Sequence, residues 1–208
     1  MPGRKARLTQ GKILTEKQWR ELHKELLKYR DAALFQKKNG GRDLKFVRDY
    51  YLLSIAYMTG LRITELSKLD WRDVSADYWL MVRAGKGSKP RTIYFGPKTK
   101  RLFDEYRAFL RDRLRKVAGD KDPIFFSQKK KRLGRNGIHH RMKYWLKKAG
   151  ISENLTFHSL RHGFATRMLN SGIKIHDLKE IMGHANIATT SVYLHFTEES
   201  REAFKRLL

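Results

Sequence analysis

The sequence predicts an α+β domain that is mainly helical and carries one small antiparallel β-sheet, and three observations support this class. Apolar residues recur three and four apart along most of the chain, which is the period of an amphipathic helix. Between residues 78 and 95, two short apolar segments flank the turn Gly85-Lys86-Gly87-Ser88-Lys89-Pro90, a pattern typical of a β-hairpin. The length of 208 residues suffices for one hydrophobic core and a short extension.

The first half of the chain predicts three helices. The first is expected from Glu16 to Ala33, with Thr15 as its N-cap. The second, from Leu44 to Met58, is apolar on most faces and should therefore lie at the centre of the core. Gly60 is suited to the left-handed position that ends this helix, and a short helix is expected at 63–68.

The second half begins with the hairpin and is then mostly helical. Its expected elements are strands at 78–83 and 91–95, a helix at 98–117, a short buried strand or extended segment at 123–126, helices at about 137–149, 157–168 and 177–182, and two terminal helical pieces at 189–195 and 198–207.

The charge of the chain indicates a polyanionic partner. Lys and Arg number 46 against 21 Asp and Glu, so the formal net charge is +25. Because phosphate neutralisation by Lys and Arg provides most non-specific affinity, nucleic acid is the first candidate and an anionic membrane surface the weaker one. No acidic residue occurs from Pro123 to Ser152, and nine Lys or Arg fall between Lys129 and Lys148, which makes a basic stripe. A basic stripe is usually a solvated face, but the overall charge weakens that interpretation.

Several classes of site are excluded. The chain has no Cys, which excludes disulfide and thiolate chemistry and would leave zinc only His and carboxylate ligands. His158 and His162 lie four apart, but the charge of the intervening Arg161 opposes a cation, so no metal site is expected. The sequence has no run of about 18 apolar residues and no secretory signal. We therefore expect no membrane partner and a location in the cytoplasm or at the nucleoid.

Three side chains could stabilise the charge of a phosphodiester under attack. Arg62 and Arg161 could each bind the non-bridging oxygens in a bidentate manner, because guanidinium matches phosphate geometry and stays charged. His184 could donate a hydrogen bond to a non-bridging oxygen, as in an oxyanion hole.

Three others could carry the nucleophile and the protons. Tyr193 is a candidate nucleophile because a phenol loses its proton more readily than an aliphatic hydroxyl. His158 could accept that proton, and its ordinary pKa suits the task. Lys86, on its glycine-flanked turn, could protonate the leaving 5′ oxygen.

Each of these features also has a simpler structural interpretation. Arg62 and Glu65 could form only an i,i+3 ion pair. The segment 85–87 could be only a hairpin turn, Gly183 and His184 only a helix C-cap, and Tyr193 only a packing residue. These interpretations weaken when the features are considered together, in their order and spacing.

Four segments give the sequence a resemblance to the tyrosine recombinases, the group that includes phage integrases and Xer-type recombinases. They are T-G-L-R-I-T-E-L (59–66), G-K-G-S-K-P-R (85–91), H-S-L-R-H-G-F-A-T (158–166) and G-H-A-N-I-A-T-T-S-V-Y-L-H (183–195). The resemblance extends over about residues 14–208 and implies the catalytic-domain fold of that family.

By this resemblance the catalytic residues are Arg62, Lys86, His158, Arg161, His184 and Tyr193, with Glu65 as a supporting acidic residue. The implied activity is site-specific DNA recombination or integration through a 3′-phosphotyrosyl intermediate, with neither a metal nor ATP as cofactor. The expected DNA-binding residues are Lys89, Arg91, Lys129, Lys130, Lys131, Arg132, Arg135, His140 and Arg141. The implied partners are double-stranded DNA and further copies of the chain, in a synaptic tetramer linked by the C-terminal helix.

The domain organisation differs from the usual family pattern, in which a helical core-binding domain precedes the catalytic domain. We expect a basic flexible arm at 1–13 and a catalytic domain at 14–208, with the core-binding domain absent. Three alternative functions stay open: relaxation of DNA in the manner of a type IB topoisomerase, regulation by DNA binding without cleavage, and association with RNA.

Overall fold

The structure, a computed structural model, describes residues 13–35, 44–83, 90–114 and 119–182. Within them the helices are α1 (Glu16–Phe35), α2 (Leu44–Thr59), α3 (Ile63–Lys68), α4 (Pro97–Leu114), α5 (Arg135–Lys148), α6 (Phe157–Asn170) and α7 (Ile175–Met182). The strands are β1 (Trp79–Val82) and β2 (Arg91–Tyr94), and a single 3₁₀ turn, Trp71–Asp73, precedes β1. The expected class, mainly helical with a small antiparallel sheet, is confirmed.

Helix α2 lies at the centre of the core, as its apolar faces predict. Leu52, Leu53 and Ile55 are fully buried, and α2 contacts α1, α4 and α6. Helix α1 packs on it through Leu22 and Leu26. This arrangement fixes the position of the end of α2, where the motif segment 59–66 begins.

Two local features at helix ends follow the sequence prediction. At the start of α1, the Gln18 amide donates to Thr15 Oγ1 at 3.2 Å and the Thr15 amide donates to Gln18 Oε1 at 3.0 Å, a reciprocal N-cap. After α2, Gly60 has φ +62°. A Cβ at Gly60 would lie 2.4 Å from the Phe164 ring, so both the backbone and the packing require glycine here.

The two strands pair as an antiparallel hairpin, with Trp79 opposite Tyr94 and Val82 opposite Arg91. This register places Arg91 at the start of β2, next to the end of β1. Both strands are shorter than expected: β1 lacks Tyr78 and Arg83, and β2 lacks Phe95. Tyr78 adopts φ +63°, which turns the chain before β1.

The other differences from the sequence prediction concern helix starts and one segment. Helix α5 begins at Arg135 because extended Gly134 forms its N-cap, two residues before the expected start at Gly137. Helix α7 begins at Ile175, two residues before the expected start at Asp177, and the side chain of Ile175 is exposed. Segment 123–126 is not a strand, although Pro123 and Phe126 form isolated bridges.

Several expectations fall outside the described residues: nearly all of the basic arm, the end of the helix at 98–117, and both terminal helical pieces. No helix in the described ranges is long and apolar enough to cross a bilayer.

Candidate active site

Arg62 and Glu65 form the first part of the site at the start of α3. Arg62 is the N-cap of the helix, in extended conformation. Its backbone amide donates to Glu65 Oε2 at 2.8 Å and its Nη1 donates to Oε1 at 2.8 Å. The i,i+3 ion pair that the simpler interpretation predicts is therefore present. It leaves the Arg62 side chain partly accessible to solvent.

Arg91 binds the other side of the same carboxylate. Its Nη1 and Nη2 donate to Glu65 Oε1 and Oε2 at 2.8 and 2.9 Å, and its Nε donates to the Ile181 carbonyl at 2.9 Å. The residue is only 8% exposed. The expectation that Arg91 contacts DNA does not fit this placement, because its guanidinium is directed into the protein.

Arg161 is the third arginine of the group and lies on the buried face of α6, next to Leu160. Its Nη1 donates to the Gly60 carbonyl at 2.8 Å and its Nη2 donates to the Met182 carbonyl. The same Nη1 lies 3.9 Å from Glu65 Oε2, and the residue is 5% exposed. Arg161 thus connects the backbone just before Arg62 with the last residue of α7.

The position of Arg161 follows from how α6 begins. Thr156 is the extended N-cap, and its amide donates to Ser159 Oγ at 3.0 Å, which fixes the first turn. Phe157, Leu160 and Phe164 then face the core at helical spacing, and Arg161 shares that buried face.

The group carries an excess of positive charge: three guanidinium groups surround one carboxylate. Burial alone would raise the pKa of Glu65, but the hydrogen bonds and charge of Arg91, with the bonds from Arg62, outweigh it and lower that pKa to about 2. Burial, together with the charges of Arg62 and Arg91, lowers the pKa of Arg161 to about 10. Glu65 and Arg161 are therefore both ionised at neutral pH, and the excess of guanidinium groups over carboxylates favours an anion such as phosphate.

His158 lies in the first turn of α6 and is exposed to solvent. His162, which follows Arg161, lies one turn later on the same helix. Burial, and then the charges of His158 and Arg161, lower the pKa of His162. His162 is therefore mostly neutral at pH 7. The exposed His158 is the better placed of the two to meet a substrate.

Lys86, Lys89, His184 and Tyr193 lie outside the described residues. The structure describes the chain on both sides of the turn that carries Lys86 and Lys89, and it describes the chain before His184 up to Met182. Strands β1 and β2 flank the turn that carries Lys86. The Ile181 and Met182 carbonyls, which accept bonds from Arg91 and Arg161, come directly before Gly183-His184 in the sequence.

The basic stripe divides into exposed and internally paired residues. Lys129, Lys130 and Lys131 are exposed at the tip of a tight turn, in which the Ser127 amide donates to the Lys131 carbonyl at 2.7 Å. Arg135 and His140 are exposed as well. Arg132 is partly exposed and donates to Asp70 Oδ1 at 2.6 Å.

Arg141 differs from the rest of the stripe. Its Nε donates to Asp49 Oδ2 at 2.5 Å, and its guanidinium lies 4.2 Å from the centre of the Tyr144 ring. Asp49 is fully buried and also accepts bonds from Arg48 and Trp145. The expected role of Arg141 in binding DNA therefore gives way to a role in the core, where it neutralises a buried carboxylate.

The sequence did not reveal that Arg91 belongs to the arginine group. Its contacts with Glu65 and Ile181 depend on packing between segments far apart in the chain, and its position after a basic turn resembled a phosphate contact. Among the residues that the structure describes, no cluster of three or more His, Cys, Asp or Glu could hold a metal ion.

Comparison with known proteins agrees with this geometry. The sequence profile of the phage integrase family matches residues 12–200. Tyrosine recombinase XerD of Oceanobacillus iheyensis is 38% identical over 152 residues, which are 73% of this chain and 51% of that protein. The chain thus spans about half the length of the curated relative it matches.

Solved structures share the fold. The crystal structure of XerA recombinase aligns with a TM-score of 0.65 and 30% identity over 93% of this chain and 64% of that one. XerH site-specific recombinase, bound to its difH substrate in a pre-cleavage complex, aligns with a TM-score of 0.64 and 23% identity over 91% and 52% of the two chains. The expected catalytic-domain fold is confirmed, and the chain belongs to the phage integrase family of tyrosine recombinases.

Proposed function

We propose that this chain cleaves and rejoins DNA at specific sites, with Tyr193 as the nucleophile. One observation carries the proposal: Arg62, Arg91 and Arg161 gather around the single carboxylate of Glu65 with two positive charges in excess. Such a group suits a phosphodiester, whose non-bridging oxygens gain charge as attack proceeds. The names of the related proteins, all recombinases, agree with this chemistry.

In the proposed reaction the arginines stabilise charge. Arg62, the more accessible of the two proposed phosphate ligands, binds a non-bridging oxygen of the scissile phosphate. Arg161 adds its charge from the floor of the site and binds phosphate when its guanidinium turns from the backbone carbonyls. His184 donates a further hydrogen bond to a non-bridging oxygen.

The proton and bond changes balance without a metal or ATP. The Tyr193 oxygen attacks phosphorus as its proton passes to His158, and the 5′ oxygen leaves with a proton from Lys86. The product is a 3′-phosphotyrosyl ester and a free 5′-hydroxyl. Attack by a 5′-hydroxyl of a partner strand reverses the step and joins the strands, since the ester retains the energy of the broken bond.

The exposed basic residues then serve to bind the duplex. Lys129, Lys130 and Lys131 project from their turn, and Arg135 and His140 lie on the same exposed stretch of chain. Phosphate contacts of this kind position a protein on DNA and carry little sequence information. We propose that recombination further requires a tetramer on two duplexes, linked through the C-terminal segment 198–208, and that it takes place at the nucleoid.

The test is covalent capture on a nicked suicide duplex, from which the cleaved end diffuses away. Wild-type protein should form an SDS-resistant DNA adduct, and Tyr193→Phe should form none while binding the duplex with similar affinity, because only the phenolic oxygen is lost. An adduct formed by the Phe variant would assign the nucleophile to another residue. Retained DNA binding with no adduct from wild type would favour the regulatory alternative.

A further inference from the structure

Arg91 directs its bonds to the arginine group and to α7, whereas Arg83, on the other strand side of the same hairpin, directs bonds to Lys68, Asp70 and Asp73. The two terminal nitrogens of Arg91 bind both oxygens of Glu65, and its Nε binds the Ile181 carbonyl, all between 2.8 and 2.9 Å. This is the two-pronged arrangement that guanidinium forms with carboxylate, and an ammonium group cannot reproduce it.

The three segments joined by Arg91 each lead to a proposed catalytic group. Strand β2, which Arg91 begins, follows the turn that carries Lys86. Glu65 binds both the backbone and the side chain of Arg62. Ile181 lies three residues before His184. One side chain therefore connects the proposed acid, one phosphate ligand and one hydrogen-bond donor.

The contacts of Arg62 and Arg161 do not duplicate those of Arg91. Without it, Glu65 keeps only Arg62 as a close partner, since Arg161 lies 3.9 Å away. Arg161 binds α7 one residue later, at Met182, and its other hydrogen bond and its ion pair in the described part of the chain go to Gly60 and Glu65. The link between the hairpin and α7 through a charged side chain thus depends on Arg91 alone among these arginines.

We propose that Arg91 is a positioning residue for strand cleavage, which holds Glu65 against Arg62 and fixes the end of α7 relative to the hairpin. The inference rests on the proposed function for its catalytic consequence. Its structural part, that Arg91 holds the end of α7 in place, can be measured without DNA.

The experiment compares Arg91→Met and Arg91→Lys with Arg83→Met as a matched control. Arg83 follows β1 in the same hairpin and also pairs with carboxylates, Asp70 at 2.7 Å and Asp73 at 2.8 Å, but those lie outside the arginine group. Hydrogen exchange on the free proteins reports the protection of α7. Single-turnover adduct formation at saturating protein reports cleavage, and gel-shift titration reports DNA affinity.

We expect Arg91→Met to lower the adduct rate by at least about tenfold, with DNA affinity within about twofold of wild type. Arg91→Lys should recover part of the rate, since it restores charge without the two-pronged geometry. Both Arg91 variants should lose exchange protection at α7. Arg83→Met should keep both the rate and the protection.

Because Arg91 acts through Glu65, adding Arg91→Met to Glu65→Gln should slow cleavage much less than it slows the wild type.

The outcomes separate the two proposals. A wild-type protein that forms no adduct refutes the proposed function, while exchange at α7 still decides whether Arg91 holds this helix. An active wild type whose Arg91→Met variant cleaves at the wild-type rate, or keeps full protection of α7, refutes the positioning role alone. Equal loss of rate in Arg83→Met would reduce the effect to general stability of the hairpin, and would also refute it. If Arg91→Met does not fold, Arg91→Lys is subject to the same criteria.

Discussion

Glu65 is the residue on which the electrostatics of the site depend. It is a mostly buried carboxylate that accepts bonds from two arginines and a backbone amide. The cost of burying this charge is offset by those partners, so removing any of them leaves charge uncompensated. The site is therefore stable only while Glu65 is ionised and the arginines remain in place.

This dependence predicts how stability changes with pH. The folded pKa of Glu65, about 2, lies below its ordinary value of 4.5. Its contribution is therefore complete above about pH 4.5 and is lost as the pH falls toward 2. Glu65→Gln should lower the free energy of unfolding by about 2 to 3 kcal/mol at pH 6 and by much less near pH 3, as measured by urea denaturation at each pH.

A control for that measurement is Asp31→Asn. Asp31, whose side chain is 60% exposed, pairs with Arg30 at 2.7 Å, and an ion pair whose carboxylate is exposed to solvent contributes little. Its substitution should change stability by less than about 1 kcal/mol at any pH. A Glu65→Gln variant as stable as wild type at pH 6, or equally destabilised at pH 6 and pH 3, would contradict the account.

The sequence predicted the individual site residues to different extents. Arg62, Glu65 and Arg161 were recognised from the order and spacing of short motifs, and the structure brings them together. The sequence assigns Arg91 and Arg141 to DNA because a positive charge beside other positive charges resembles a phosphate contact. Their carboxylate partners, Glu65 and Asp49, are 26 and 92 positions away in the chain, and no local pattern encodes such pairs.

At the scale of elements, the site depends on the close packing of α6 against the segment that precedes α1, at Leu14. Leu14 is buried, and its amide donates to the Ser159 carbonyl at 3.2 Å. A Cβ on Gly163 would lie 2.6 Å from the Leu14 carbonyl oxygen. Glycine at 163 therefore lets the backbone of α6 pack directly on the backbone at Leu14. The same helix carries His158 and Arg161.

This packing predicts that Gly163→Ala destabilises the protein, although alanine is the better helix former. The helical preference is worth about 1 kcal/mol in favour of alanine. The clash opposes it, because the Leu14 oxygen cannot withdraw without moving Leu14 out of the core. We expect a net loss of roughly 1 to 3 kcal/mol in thermal or urea unfolding, with slower adduct formation where α6 shifts.

Gly119→Ala is the control for this substitution, since the nearest atom to its Cβ would be an Asp122 oxygen at 3.8 Å, an ordinary contact. It should leave stability nearly unchanged. A Gly163→Ala variant more stable than wild type would show that the first segment can move away from α6 at little cost.

Elements were more predictable than their ends. The apolar periods of α1, α2 and α6 identified these helices because each buries one broad face or is buried throughout. The expected starts of α5 and α7 each lie two residues late, because the apolar period does not mark the first turn, which in α5 is set by the extended conformation of Gly134. The mutual packing of β2, α3 and α7 depends on long-range contacts and could not be predicted from these patterns.

At the scale of the whole molecule, the net charge of +25 is distributed between two uses. Arg48, Arg91, Arg141 and Arg161 are buried or nearly so and neutralise or bind groups inside the protein. Many of the other basic residues are on the surface, where their charges repel one another until a polyanion binds. The second set should therefore dominate the response of DNA binding to salt.

This division predicts the salt dependence of particular variants. Each phosphate contact contributes roughly 0.9 to the slope of log affinity against log salt. Substituting Lys129 and Lys131 with Ala should therefore lower the slope by about 1 to 2 and weaken binding to unrelated duplexes equally. Arg141→Met should instead lower stability, because it leaves the buried Asp49 carboxylate with fewer partners, and should leave the slope nearly unchanged.

The measurement is fluorescence anisotropy with a labelled duplex across a series of salt concentrations, at temperatures where each variant is folded. Lys17→Ala with Arg20→Ala, an exposed basic pair on α1, is the control for loss of charge outside the stripe. An equal fall in slope for that pair would mean that the whole surface attracts DNA without a defined interface. A fall in slope for Arg141→Met as large as that for the lysine pair would mean that Arg141 leaves Asp49 to bind phosphate, and the assignment of its charge to the core would be wrong.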